Sequence, residues 1–109
     1  MPFAVGLTHD AARDLADLYA YIEKHDVPGK ADYVLSEIEK VLNSLSENPH
    51  RGVHPGELAE LGIREYRELF FKPYRIIYRV NGNEVFVMLI VDGRRDMQAL
   101  LERRLLAAE

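Results

Sequence analysis

The sequence predicts an α+β domain of order β-α-α-β-β-β-α, with a helical hairpin packed on one face of a largely antiparallel sheet and a short C-terminal helix. Three observations carry that expectation. Two stretches between Thr8 and Leu45 repeat apolar residues at helical spacing. Three short segments between Ile63 and Val91 alternate, or run apolar, between turn signals. A last helical stripe then follows Asp92-Gly93. A chain of 109 residues suits one core, so residues 1–109 are read as a single domain.

Pro2 to Leu7 places Phe3, Val5 and Leu7 at period two, which predicts a strand at or next to a sheet edge. Thr8 is a good N-cap, and Asp10 falls in the first turn, where the helix dipole favours an anion. Leu15, Leu18, Tyr19 and Ile22 form one stripe opposite Arg13, Asp14 and Asp17, and Pro28-Gly29 ends that helix near His25. Ala31, Val34, Leu35, Ile38, Val41, Leu42 and Leu45 mark the apolar face of a second helix, stopped by Asn48-Pro49. Two helices with so short a link form an antiparallel hairpin.

Residues 49–62 hold two prolines and three glycines and predict a loop with one helical turn at Glu57 to Leu61. Strands follow at Ile63 to Phe71, Tyr74 to Val80 and Glu84 to Val91. Lys72-Pro73 makes the first turn, and Asn81-Gly82 is the dipeptide of a tight primed hairpin. The third of these strands is apolar on both faces, so it belongs in the middle of the sheet. Met97, Leu100, Leu101 and Leu105 then stripe a closing helix, with Arg103 and Arg104 on its wet side.

Composition narrows function. Without cysteine there is no disulfide framework, thiolate metal site or cysteine nucleophile, which fits a reducing cytoplasm. The opening MPFAVGLTHD lacks the pattern of a signal peptide, and Val85 to Val91 is far too short to span a bilayer. A soluble, cytoplasmic protein without a membrane partner is expected. A net charge of −4 argues against wholesale wrapping by nucleic acid. The charge is uneven, however: residues 1–50 carry four Lys/Arg against nine Asp/Glu, whereas residues 64–95 carry seven against four. Six of those seven cations are arginine.

His50 and His54 are spaced i, i+4 but flank Gly52 and precede Pro55, so they do not share a helix. With His9 and His25 they are read as loop or surface histidines, and no metal is expected. Ser36, Ser44 and Ser46 lie in no nucleophile elbow, and no glycine-rich phosphate loop occurs, so no cofactor is expected. The arginines are what remains. Arg75 and Arg79 share one face of their strand around Ile77, and Arg94 and Arg95 return to the end of the sheet where Arg75 begins. The expectation is a cluster of Arg75, Arg94 and Arg95, extended by Arg64, Arg67 and Arg79. Guanidinium groups suit phosphate and carboxylate equally. The competing reading pairs Arg64, Arg67 and Arg79 with Glu65, Glu68 and Glu84, and Arg94 or Arg95 with Asp92 or Asp96.

The run GIREYRELFFKPYRIIYRVNGNEVFVMLIVDGRRDMQALL, with the preceding hairpin and the NPHRG loop, resembles the RelE/ParE superfamily of toxins from bacterial type II toxin–antitoxin modules. The succession YRIIYRV, turn, apolar strand, GRRD is its specific part. The resemblance implies a growth inhibitor of the kind linked with plasmid stabilisation, held by a cognate antitoxin in a hetero-oligomer. RelE-like members resemble ribosome-dependent ribonucleases with lysines on the first meander strand, an arginine in the second, another after the last strand and a tyrosine in the final helix. Here Arg75 and Arg95 match the arginines, but the lysine positions fall near Tyr66 and Glu68 and the tyrosine position near Leu101. Leu101 cannot carry a proton. That departure favours the ParE-like branch, associated with binding DNA gyrase. The alternative is an endoribonuclease acting on the ribosome and its mRNA through Arg75, Arg95 and Glu68 or His54. A third reading keeps antitoxin pairing and loses toxicity.

Overall fold

The computed structural model describes residues 2–107. The elements run β1 (Ala4–Leu7), α1 (His9–His25), α2 (Lys30–Ser44), a 3-10 turn (Pro49–Arg51), α3 (Gly56–Ala59), β2 (Tyr66–Phe71), β3 (Tyr74–Asn81), β4 (Glu84–Asp92) and α4 (Met97–Leu101), which continues as a π turn over Glu102–Leu106. The sheet order is β1-β4-β3-β2. β2, β3 and β4 form an antiparallel meander, while β1 pairs parallel with β4 and is an edge. Among the described residues no helix is long and apolar enough to cross a membrane.

The local signals act as their chemistry requires. Thr8 Oγ1 accepts the Ala11 N–H at 3.1 Å and caps α1. Gly29, at φ 89°, takes the left-handed conformation that starts α2 two residues after Val27. The β3–β4 hairpin is tight, but its register pairs Asn81 with Glu84. The loop is therefore Gly82-Asn83, one residue later than the Asn81-Gly82 reading. Of those two residues only Gly82 has positive φ, 60°, as a primed turn with glycine first demands. The first meander strand begins at Tyr66 rather than Ile63.

Helices cover both faces of the sheet, where the sequence placed them on one. Ala11, Ile22, Ile38 and Leu45 of the hairpin region bury Ile76, Tyr78, Val85 and Val87. On the opposite face Leu58 of α3 and Met97, Leu100 and Leu101 of α4 bury Ile77, Leu89 and Val91. Val87 and Leu89 lie two apart yet face opposite cores. The cause is a β-bulge: Ile77 pairs with Leu89 and Tyr78 with Val87, so Met88 is skipped. A continuous apolar run such as VFVMLIV hides that change of phase, because either phase buries every residue.

The bulge exposes backbone, and distant side chains satisfy it. Met88 C=O accepts from Arg104 Nη2 at 3.1 Å, and Ile90 N–H donates to Asp14 Oδ2 at 3.1 Å. Arg104 and Asp14 pair with each other through two bonds of 3.0 Å, each side chain only 16% exposed. The reading of Arg104 as a wet-side residue is thus corrected. The π turn shifts its phase and folds it back on α1.

Candidate functional site

The Arg75, Arg94, Arg95 cluster expected from the sequence does not form. Arg75 lies on the α3/α4 face of β3, and its stem passes under Gly93, where a Cβ would lie 2.7 Å from Arg75 Cδ. Its guanidinium is bound to Glu57 and Glu68, whereas Arg94 and Arg95 border a cleft with residues of α1. Nη1 and Nη2 bind Glu57 Oε2 and Oε1, both at 2.8 Å, and Nε binds Glu68 Oε1 at 2.7 Å. The Arg75 side chain is 12% exposed and that of Glu68 5%. Each of the three guanidinium nitrogens donates to a carboxylate, so three of the five N–H donors are committed and two Nη protons are not.

This triad is asymmetric. The bidentate Arg75 contact holds the Glu57 carboxyl below its ordinary range. Burial pushes Glu68 up, against the single bond from Arg75. Two carboxylates on one guanidinium also raise Arg75 itself, first through its bonds to Glu57. The triad clamps α3 to the sheet. It is a structural lock, because the pattern that would bind an anion already contains two.

The other strand arginines are also occupied. Arg67 Nη1 donates to the backbone carbonyls of His50 at 3.1 Å and Gly52 at 2.9 Å, pinning the loop over the outer strand. It does not pair with a strand carboxylate. Val53 closes the same edge by exchanging backbone bonds with Glu68 at 3.1 and 2.7 Å. Tyr78 completes the loop anchor. Its hydroxyl donates to Pro49 C=O at 2.6 Å and accepts from Gly52 N–H at 3.1 Å, and a Cβ at Gly52 would collide with it. Arg79 reaches Glu65 at 3.4 Å in an exposed pair, which has little net value. Arg64 is exposed just before β2 and makes no ion pair among the described residues.

Arg94 and Arg95 do come together, on the α1 side of the sheet end. They border a cleft that also takes in Tyr21 and His25 of α1 and Tyr74 of β3. Arg94 grips Asp92 through Nε at 2.9 Å and Nη2 at 2.6 Å, and holds that carboxyl below its ordinary range. Its side chain remains 76% exposed. Arg95 is exposed and enters no ion pair among the described residues. The Arg94–Asp92 pair is the one the competing reading anticipated.

The histidines are scattered. His54 Nδ1 donates to Tyr66 C=O at 3.0 Å and His25 Nδ1 to Tyr21 C=O at 2.9 Å, since a carbonyl can only accept. His50 packs edge-on to Phe3, and His9 contacts Arg13. Among the described residues no three His, Asp or Glu side chains converge as a metal ligand set. Leu101 is 1% exposed within the second core and contributes only packing. Glu57, Asp14 and Arg104 went unrecognised in the sequence. Their partners lie 18 and 90 residues away, beyond any periodic signal.

Comparison with known proteins agrees with the geometry. Residues 5–97 match the family described as ParE toxin of type II toxin–antitoxin system, parDE. Toxin ParE3 of Caulobacter vibrioides is 29% identical over 97 residues, covering 89% of this chain and 93% of that protein. The chromosomal ParDE system of P. aeruginosa contains a chain of similar fold, with TM-score 0.69 and 24% identity over 83% of this chain and 95% of that one. The toxin–antitoxin complex RelBE2 of Mycobacterium tuberculosis gives TM-score 0.61 at 22% identity, over 84% and 99% of the two chains. A mutant of E. coli RelE in the free state gives 0.63 at 17%, over 96% and 100%. At these identities the solved structures establish the fold.

Proposed function

Because this chain belongs to the ParE toxin family of type II toxin–antitoxin systems, we propose that it inhibits growth by binding DNA gyrase and that a cognate antitoxin neutralises it in the cytoplasm. One observation carries the choice of binding over RNA cleavage. The arginine matching the RelE-like catalytic position, Arg75, is held by Glu57 and Glu68, and the position of the final-helix tyrosine is the buried Leu101. A ribonuclease needs a cation free to meet the phosphate and a group that can move a proton. Here one matching cation, Arg75, is held by two carboxylates, the other, Arg95, is free among the described residues, and the proton carrier is an alkyl chain. Glu68, raised by burial, is itself tied to Arg75, and His54 Nδ1 is tied to Tyr66. Arg95, beside an Arg94 that is paired with Asp92 but still 76% exposed, is left as the cationic surface for a macromolecular partner.

The purified protein should inhibit plasmid supercoiling by gyrase in a dose-dependent way, and leave mRNA on translating ribosomes intact. A codon-positioned cut that disappears in Arg95→Ala, a substitution at an exposed residue, would move it to the ribonuclease reading.

A further inference from the structure

The turn that carries Arg94 and Arg95 is seated on the stem of Arg75. Gly93 opens that turn, and its N–H donates to Pro73 C=O at 2.8 Å. Arg94 N–H donates to Asp92 Oδ1 at 2.9 Å, and Arg95 N–H to Asp92 C=O at 3.3 Å. A Cβ at position 93 would lie 2.7 Å from Arg75 Cδ, 2.9 Å from Arg75 Cγ and 3.2 Å from the Pro73 carbonyl oxygen. Gly93 is not one of the glycines with positive φ, so it is space that reserves the position for glycine. A long side chain yields to such a contact by changing rotamer when its far end is free. Arg75 is fixed at both ends: its backbone lies within β3, and its guanidinium is bound to Glu57 and Glu68.

We propose that Arg75 is a positioning residue for Arg95. Through the packing of its stem on Gly93, the Glu57–Arg75–Glu68 triad holds the turn in the conformation that presents Arg95 to the target. The inference rests on the gyrase-binding reading above and names what orients the cation on which that reading depends. A guanidinium carried by a loose turn must lose backbone freedom when it meets a partner, and that loss opposes binding. On a turn already fixed from below, only the side chain has to be ordered. Arg95 is exposed and enters no ion pair among the described residues, so no side-chain carboxylate orients it. Its placement comes from the backbone, and that backbone rests on Arg75. The triad therefore does more than clamp α3 to the sheet. Glu57, though it belongs to α3, reaches the Arg95 turn through the Arg75 stem.

The test uses the full chain and purified DNA gyrase. Inhibition of supercoiling is measured for Glu57→Gln and Gly93→Ala, each made in wild type and in Arg95→Ala. Glu57→Gln loosens the guanidinium, and Gly93→Ala lifts the turn off the stem. Each should weaken inhibition by roughly 3- to 10-fold in wild type, and by less than about 1.5-fold in Arg95→Ala, because both act through Arg95. Glu57→Gln should also speed exchange of the Gly93 amide, which is bonded to Pro73 C=O. Equal losses in the two backgrounds would mean that the triad only stabilises the fold, which overturns the inference and leaves gyrase binding intact. Full inhibition by Glu57→Gln, or an unchanged Gly93 amide, would overturn it as well. Wild type that leaves gyrase untouched would overturn the gyrase reading, and this inference with it.

Discussion

At the scale of single residues, two arginines from one motif-bearing half of the chain have opposite fates. Arg75 was readable as a cation on a strand face, and the carboxylate that captures it from α3 was not. Glu57 lies in α3, a single turn reached through an irregular loop whose backbone Tyr78 and Arg67 grip. Arg75→Ala should cost about 3–5 kcal/mol in urea unfolding, because it strands the buried Glu68 carboxylate. A loss under ~1 kcal/mol would show that the triad contributes little. The pH dependence separates its two acids. Glu68, with a folded value above the unfolded one, weakens the fold when ionised, and stability is regained as pH falls through that raised value. Glu57, with a depressed folded value, contributes above the ordinary carboxylate value of 4.5 and is lost as pH falls below it. Stability should therefore rise modestly on acidifying from neutrality and then drop below 4.5. Glu68→Gln should remove the rise, and Glu57→Gln should blunt the drop. A rise that persists in Glu68→Gln would assign it to another group.

At the scale of elements, the hairpin of helices and the three-strand meander were legible because caps, turns and periodicity speak locally. The bulge in β4 was not, since an apolar run buried on both sides carries no phase. Arg104 misled for a related reason: a helical wheel assumes 3.6 residues per turn, and the last five residues of the C-terminal helix follow a π turn. Its partners then become Asp14 and Met88, which close an open strand edge with side-chain charge. Arg104→Ala should lower stability by about 1.5–3 kcal/mol, since charged hydrogen bonds at a partly buried site are lost. It should also speed amide exchange at Ile90. An unchanged Ile90 amide would mean that Asp14 holds the edge without help from the C-terminal turn.

At the scale of the whole molecule, the acidic first half and the arginine-rich second half meet at one cleft instead of forming two separate faces. The charge asymmetry was visible in the sequence; its convergence needed the sheet order, which sets α1 against the end of β4. Steering by these rims should make association with the antitoxin slower as salt rises, with screening over about 10 Å at 0.1 M. Arg94→Ala/Arg95→Ala should flatten that dependence, and equal rates in both proteins would place the encounter surface elsewhere. The most direct measurement of the central claim is the supercoiling activity of gyrase titrated with wild type and with Arg95→Ala. Arg95 is exposed and unpaired among the described residues, so its removal should change stability by less than ~0.5 kcal/mol. The account predicts that wild type inhibits and that Arg95→Ala, equally folded, inhibits at least ~10-fold less, the weight of a good charged contact. Gyrase untouched by wild type, or inhibited equally by both, would contradict it.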